Sequence, residues 1–260
     1  MLQPLIDLVQ SLGAAGTVFV LAVAFGAGIL RGYTGFGFAL AAAPALSLLL
    51  DPVDIVPAVT VITLFGGLRL VIRARHEADW GSTWLLVAGA LLGLPAGVLM
   101  LRHLPADLMR AAIGLVVLGA VLALWRGFIL ARSLSRGARL GIGALSGLLN
   151  GATSMGGPPV IIFFLASPAG HAAGRASLFV YFFFLGIVTV AVAGFAGLIT
   201  ARVLWLSLLL LPAMSFGNAL GARLFDRSTA SAYRRVALLV LAAVAFLAVA
   251  RAAAGLAEAF

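Results

Sequence analysis

The sequence predicts an all-α polytopic membrane protein made of two inverted-topology repeats. Each repeat has about five hydrophobic segments and contains a broken or re-entrant helical hairpin. Three observations predict this class. The 260-residue chain is 63% hydrophobic and 10% charged, with a mean hydropathy of +1.20, whereas a soluble domain covers itself with about 25% charged residues. Apolar runs such as 84–101 and 236–250 are the size that reads as spanning helix, for which about 17–25 residues are needed. Finally, a glycine-rich interruption occurs once in each half, followed by similar long segments and an arginine-bearing loop.

The elements follow in order. The amino terminus, "MLQPLIDLVQSLGAAG", has an aspartate and no arginine before its first apolar run. A cleavable signal wants a positive start and a small-residue cleavage site, so the first segment is expected to stay. Five segments lie at 12–30, 38–50, 55–72, 84–101 and 108–125, and five more at 140–149, 158–166, 176–195, 203–220 and 236–250. The first repeat is expected to occupy 1–126 and the second 140–260, joined by a cytoplasmic linker at 127–139. Between segments, "GILRGYTGFGF" and "GLLNGATSMGGPP" align so that Gly28 matches Gly147, Gly32 matches Gly151 and Gly37 matches Gly156.

Charge orients the chain. Arg73, Arg75, Arg132, Arg136, Arg139, Arg175, Arg223, Arg227, Arg234 and Arg235 fall in alternate gaps. The other gaps hold Arg102, Arg110 and Arg202 beside Asp51, Asp54 and Asp107. Positive-inside bias puts the arginine-rich gaps in the cytoplasm and both termini outside. With an odd number of segments per half, the second half enters upside down. The net charge of +9 is therefore assigned to lipid headgroups and membrane orientation, with no nucleic-acid partner. Zero cysteines exclude disulfides and thiolate metal sites.

Segments 140–149 and 158–166 are too short for two crossings of a core about 30 Å thick. A hairpin that dips in from the cytoplasm fits, with "NGATSMGGPP" at its tip, and by symmetry "RGYTGFG" tips a hairpin from outside. Exposed backbone at that depth survives only where protein buries it or a wet cavity meets it. The candidate substrate-binding residues are Arg31, Gly32, Tyr33, Thr34, Gly35 and Gly37 in the first tip. In the second they are Asn150, Gly151, Thr153, Ser154, Gly156, Gly157 and Pro158. Glycines allow close approach, the prolines suit a helix start, and a helix start attracts anions. The arginine could bind an oxyanion through its planar fork, or it could snorkel at a cytoplasmic interface.

Other residues carry structural expectations. Gly28, Gly89, Gly93 and Gly97 read as helix-packing positions, Trp80 and Trp84 as interface anchors, and His76, His103 and His171 as solvated loop residues. Asn218 reads as a packing amide ahead of a ligand, and Arg175 as an orientation charge ahead of a gate. No Asp or Glu sits well inside an apolar run, which disfavours an embedded enzyme, a proton relay and a metal-cation transporter. No catalytic residue, metal or cofactor is expected.

"GAGILRGYTGFGFALAAAPALSLLLDP" with "GALSGLLNGATSMGGPPVIIFFLA", Pro44 and "GRAS" at 174–177 resembles the sulfite exporter TauE/SafE family, also called the toluene-sulfonate uptake permease family. The resemblance covers nearly the whole chain. It departs from the commoner pattern at Arg31–Thr34, where many relatives carry more glycine. It implies a permease of the bacterial inner membrane that moves a small sulfur-containing anion such as sulfite or a sulfonate. Passive anion channel and lipid-headgroup translocase are the alternatives, and the oligomeric state stays open, a homo-oligomer included.

Overall fold

The computed structural model describes residues 3–105, 134–165 and 170–229, together with isolated positions between 108 and 115 and at 236 and 239. The expected segments 108–125 and 236–250 lie largely outside the described residues. So does most of the linker, with Asp107, Arg110, Arg132, Arg234 and Arg235.

Among the described residues the secondary structure is eight helices and no strand. These are α1 (Gln3–Thr34), α2 (Phe38–Leu46), α3 (Pro52–Ala74), α4 (Trp80–His103), α5 (Arg136–Thr153), α6 (Gly157–Leu165), α7 (Gly170–Phe195) and α8 (Ala201–Asp226). Hydrocarbon demands that backbone groups bond within their own segment, which is why so apolar a chain is helical. α1 is bent at Gly13, whose φ of 68° and ψ of 174° interrupt the helix. The starts of α4, α5 and α8 are capped by Asp79, Ser135 and Thr200, whose side chains accept from Ser82, Ala138 and Val203 amides, satisfying groups that a helix start leaves open.

Both expected interruptions are present, and both are shorter than the sequence suggested. α1 runs through Arg31, Gly32, Tyr33 and Thr34, so the break is residues 35–37, and α5 runs through Asn150 to Thr153, so the break is 154–156. The physical reason is the same twice. Thr34 Oγ1 donates to the Leu30 carbonyl at 2.8 Å and accepts from the Phe36 amide at 3.3 Å. Thr153 Oγ1 donates to the Leu149 carbonyl at 2.7 Å and accepts from the Met155 amide at 3.2 Å. A hydroxyl that bonds back four residues keeps the last turn helical and then turns the chain. The turn itself needs left-handed backbone: Gly35 and Gly37 have φ of 88° and 91°, and Ser154 has φ of 57°.

The most extensive helix pairings join the two halves: α1 lies along α8, and α4 along α5. Glycine makes these approaches close. A Cβ on Gly89, Gly93 or Gly97 of α4 would collide with the carbonyl of Leu140, Ala144 or Leu148, and Gly143 and Gly147 of α5 meet Leu86 and Ala90 in the same way. Gly28, at 2.6 Å from the Met214 carbonyl to its would-be Cβ, and Gly217 and Gly221 play this part between α1 and α8. The packing expectation for Gly28, Gly89, Gly93 and Gly97 is met. α3 and α7 pass through the centre, surrounded by a core that includes Phe38, Ile55, Ile62, Leu86, Leu94, Phe164 and Tyr181.

One set of polar contacts falls at the ends of the helices. At one end the Asp79 amide donates to Ser177 Oγ and Arg139 Nη1 donates to Ser82 Oγ. At the other, Arg202 Nε lies 3.0 Å from Asp54 Oδ2, pairing the starts of α8 and α3. The Arg202 side chain is exposed and that of Asp54 is largely covered, so solvent screens the pair from one side.

Candidate functional site

Two threonines in the middle of α3 anchor the site, Thr60 by its hydroxyl and Thr63 by its backbone carbonyl. Thr60 Oγ1 lies 2.7 Å from Ser154 Oγ, and Ser154 Oγ donates to the Val56 carbonyl at 2.7 Å. These contacts hold Ser154 in the left-handed conformation, which costs a non-glycine residue about 1–3 kcal/mol and persists only where the surroundings enforce it. One turn further along α3, Arg31 Nη1 donates to the Thr63 carbonyl at 2.8 Å. The two breaks thus reach neighbouring turns of one helix from opposite halves of the sequence.

Between them lies a cavity of about 50 Å³. One water needs about 10–15 Å³ on this scale, so the space suits an ion of a few heavy atoms. Its polar lining is Arg31, Thr60, Thr63, Asn150 and Ser154; Phe36, Phe38, Leu40, Met155 and Phe182 supply most of the apolar side. Arg31 is only 3% exposed. Among the described residues it has no carboxylate partner. Asn150, which the glycine alignment places opposite Arg31, donates from Nδ2 to Thr189 Oγ1 at 2.9 Å.

The starts of both short helices also face this space, through Gly37, Phe38, Ala39 and Leu40 on one side and Gly157 on the other. In α2 the first helical bond is from the Ala41 amide to the Gly37 carbonyl, at 3.0 Å. The amides of Phe38, Ala39 and Leu40 precede it and have no acceptor within the helix. In α6 the second and third residues are Pro158 and Pro159, which bring no N–H. The first break is therefore the richer donor.

Of the thirteen residues expected from sequence, Arg31, Gly37, Asn150, Ser154 and Gly157 line the cavity. The others sit behind it. Gly32 and Gly151 are helix contacts: a Cβ at Gly151 would stand 2.5 Å from the Leu94 carbonyl, and one at Gly32 would collide with that of Asn218. Tyr33 packs edge-on against Phe225, with ring centroids 6.1 Å apart. Thr34 and Thr153 spend their hydroxyls on the helix ends, Gly35 faces Arg175, and Pro158 is buried in the first turn of α6. The interface alternative for Arg31 does not fit its burial.

Gly156 is tied from behind. Ser146 Oγ donates to the Gly156 carbonyl, and Tyr181 Oη donates to Ser146 Oγ at 2.8 Å. The repeat-related positions, 119 residues earlier by the Gly28–Gly147 alignment, are Ala27 and Ile62, so the first break lacks this tether. Tyr181→Phe is expected to lower stability by about 1 kcal/mol, the net value of one such bond, and a thermal melt of the purified protein would show it. Arg175 steadies the first break instead. Its Nη2 donates to the Gly32 carbonyl at 2.5 Å, and its guanidinium carbon lies 3.7 Å from the Phe225 ring centroid, a cation–π contact.

Sequence reasoning missed Thr60, Thr63, Phe182 and Gly186. The available signal was "VTVIT" within α3, two hydroxyls one turn apart in an otherwise apolar run. Asn218 is a packing amide, donating to the Gly66 carbonyl at 2.9 Å and joining α8 to α3.

Five helices long and apolar enough to cross a bilayer, at Leu8–Thr34, Pro52–Ala74, Trp80–His103, Ala172–Phe195 and Ala201–Asp226, make this a multi-pass membrane protein. A cavity of mixed polar and apolar lining lies within the helix bundle. The family model for the sulfite exporter TauE/SafE matches residues 20–248, and the chain belongs to that family. No curated protein and no solved structure gives a match to it.

Proposed function

We propose that the protein is a permease that moves a small sulfur-containing oxyanion, sulfite or a sulfonate, by alternating access at the cavity between the two breaks. The observation that carries this reading is Arg31. A guanidinium 3% exposed, inside a cavity and without a carboxylate partner among the described residues, is costly to desolvate. A substrate anion is the counter-charge that offsets the cost. Thr60, Thr63, Asn150, Ser154 and the amides ahead of Ala41 supply further groups for oxygen atoms.

The architecture supports the motion. A long helix, a three-residue break, a nine-residue helix and two long helices occur in that order twice, as expected of a duplicated unit with repeats at 1–126 and 140–260. At about 1.5 Å per residue the nine-residue α2 and α6 reach only about 14 Å, half of a bilayer core. That length suits our reading, in which each break turns the chain back inside the membrane, one from each face, as in permeases with inverted repeats. The arginine-rich ends face the cytoplasm of a bacterial cell, with headgroups as their partners. Export follows energetically, because expelling an anion down an inside-negative potential gains about 2.3 kcal/mol per charge per 100 mV, and it agrees with the family's description as exporters.

The test is anion flux into liposomes containing the purified protein. Saturable sulfite or methanesulfonate flux is expected, reduced about tenfold or more by Gly186→Leu. Gly186 lines the cavity and a Cβ there meets only Leu64, at 3.5 Å, so a side chain can start at this position without a backbone collision; a thermal melt of the variant separates blocked flux from overpacking. Non-saturating flux would favour a channel. Lipid movement without anion flux would favour a headgroup translocase.

A further inference from the structure

Building on the anion-permease reading, we infer that the cavity selects monoanions and rejects dianions. The charge inventory of the site carries this. Among the described residues Arg31 is the one charged side chain lining the cavity. Its counterpart by repeat alignment, Asn150, is neutral and already donates to Thr189. Two other partly buried guanidinium groups are engaged away from the cavity: Arg175 with the Gly32 carbonyl and the Phe225 ring, Arg139 with Ser82. The starts of α2 and α6 add only partial positive charge, and the prolines of α6 bring no N–H. Arg31 thus gives one negative charge a full counter-charge, and a second would meet only partial ones.

The rest of the lining strengthens the discrimination. Phe36, Phe38, Met155 and Phe182 occupy much of the wall, and a second charge held against rings and a thioether would lose its water without gaining a partner. An anion with one ionised oxyacid group and a small apolar side, such as methanesulfonate or hydrogensulfite, leaves neither a bare charge nor an empty apolar wall. Selection also fixes which species of a polyprotic oxyanion is carried. Sulfite converts between its singly and doubly charged forms near neutrality, so the protonated form is the substrate.

The experiment is a liposome flux series under a clamped potential. It compares methanesulfonate and hydrogensulfite with sulfate and methanedisulfonate, each at mildly acid and mildly alkaline pH. Monoanions are expected to exceed dianions in kcat/KM by about 30-fold or more, equivalent to two bonds' worth of unbalanced charge at tenfold per 1.4 kcal/mol. Sulfite flux should fall as the medium becomes alkaline, while methanesulfonate flux, whose charge does not change, stays level. Asn150→Arg places a second guanidinium at the repeat-related position and should narrow the gap about tenfold; the wild-type series decides without it. Dianion flux within about threefold of monoanion flux, or sulfite flux that rises with its doubly charged form, overturns the selectivity and leaves the permease. Absence of flux for all four anions from folded protein overturns both.

Discussion

Arg31→Met is expected to reduce anion flux by about 100- to 1000-fold and to leave the melting temperature unchanged or raised. The flux loss follows from the bonds removed. A guanidinium and an oxyanion exchange two charge-assisted hydrogen bonds, each worth about 1.5–3 kcal/mol, and methionine offers none. The stability side follows from what Arg31 does without substrate. It donates to one carbonyl, that of Thr63, and brings a charge into a site with no carboxylate partner among the described residues. Replacing such a charge by an apolar chain of similar length is neutral or stabilising. Arg31→Lys keeps the charge, loses the fork and should fall between, at about a tenfold loss. Paired flux and melting measurements separate the roles. A lower melting temperature with unaltered flux would make Arg31 a packing residue and remove the basis of the functional proposal.

Gly93→Leu is expected to have the largest structural effect, preventing recovery of folded protein. A Cβ at this position collides with the Ala144 carbonyl, and behind it stands the Leu148 amide at 3.0 Å. Backbone cannot rotate aside as a side chain can, so α4 and α5 must separate along their length. Gly93→Ala should already cost about 3 kcal/mol, the upper range for overpacking. Gly141→Leu is the control, because a Cβ there meets nothing within 4 Å, and it should melt within about 0.5 kcal/mol of the parent. Size-exclusion profiles and melting curves of the three variants in detergent test the order. Equal stability of Gly93→Leu and Gly141→Leu would show that the α4–α5 seam is wrong.

The sequence was legible where a residue has few physical options. Gly35, Gly37 and the Gly157–Pro158–Pro159 run can hardly sit in the middle of an unbroken helix, and both breaks fall there. It was less legible where a residue has two. Thr34 and Thr153 could face a ligand or bond back to their own helix, and they bond back. Gly32 and Gly151 could admit a substrate or a neighbouring helix, and a helix occupies both. The spacing of glycines at fours announced close packing without naming the partner, since α1 meets α8 and α4 meets α5 only in three dimensions. Thr60 and Thr63 stand out as hydroxyls in an apolar run, but their role does not, for the same reason: nothing local says that Ser154 and Arg31 arrive from far along the chain.

The crossing of partners between halves has a consequence for biogenesis. α1 ends at Thr34 and its companion α8 begins at Ala201. At about 5–20 residues per second, α1 waits roughly 10–30 s in the bilayer before α8 can cover it. During that interval Gly28 and Gly32, which meet Met214 and Asn218 of α8 in the finished fold, lack that partner. α4 and α5, separated by only the residues between His103 and Arg136, join several times sooner. Assembly therefore has an order: the α4–α5 pair can close first, the cavity has its last lining residue, Gly186, once α7 is made, and the α1–α8 seam closes last.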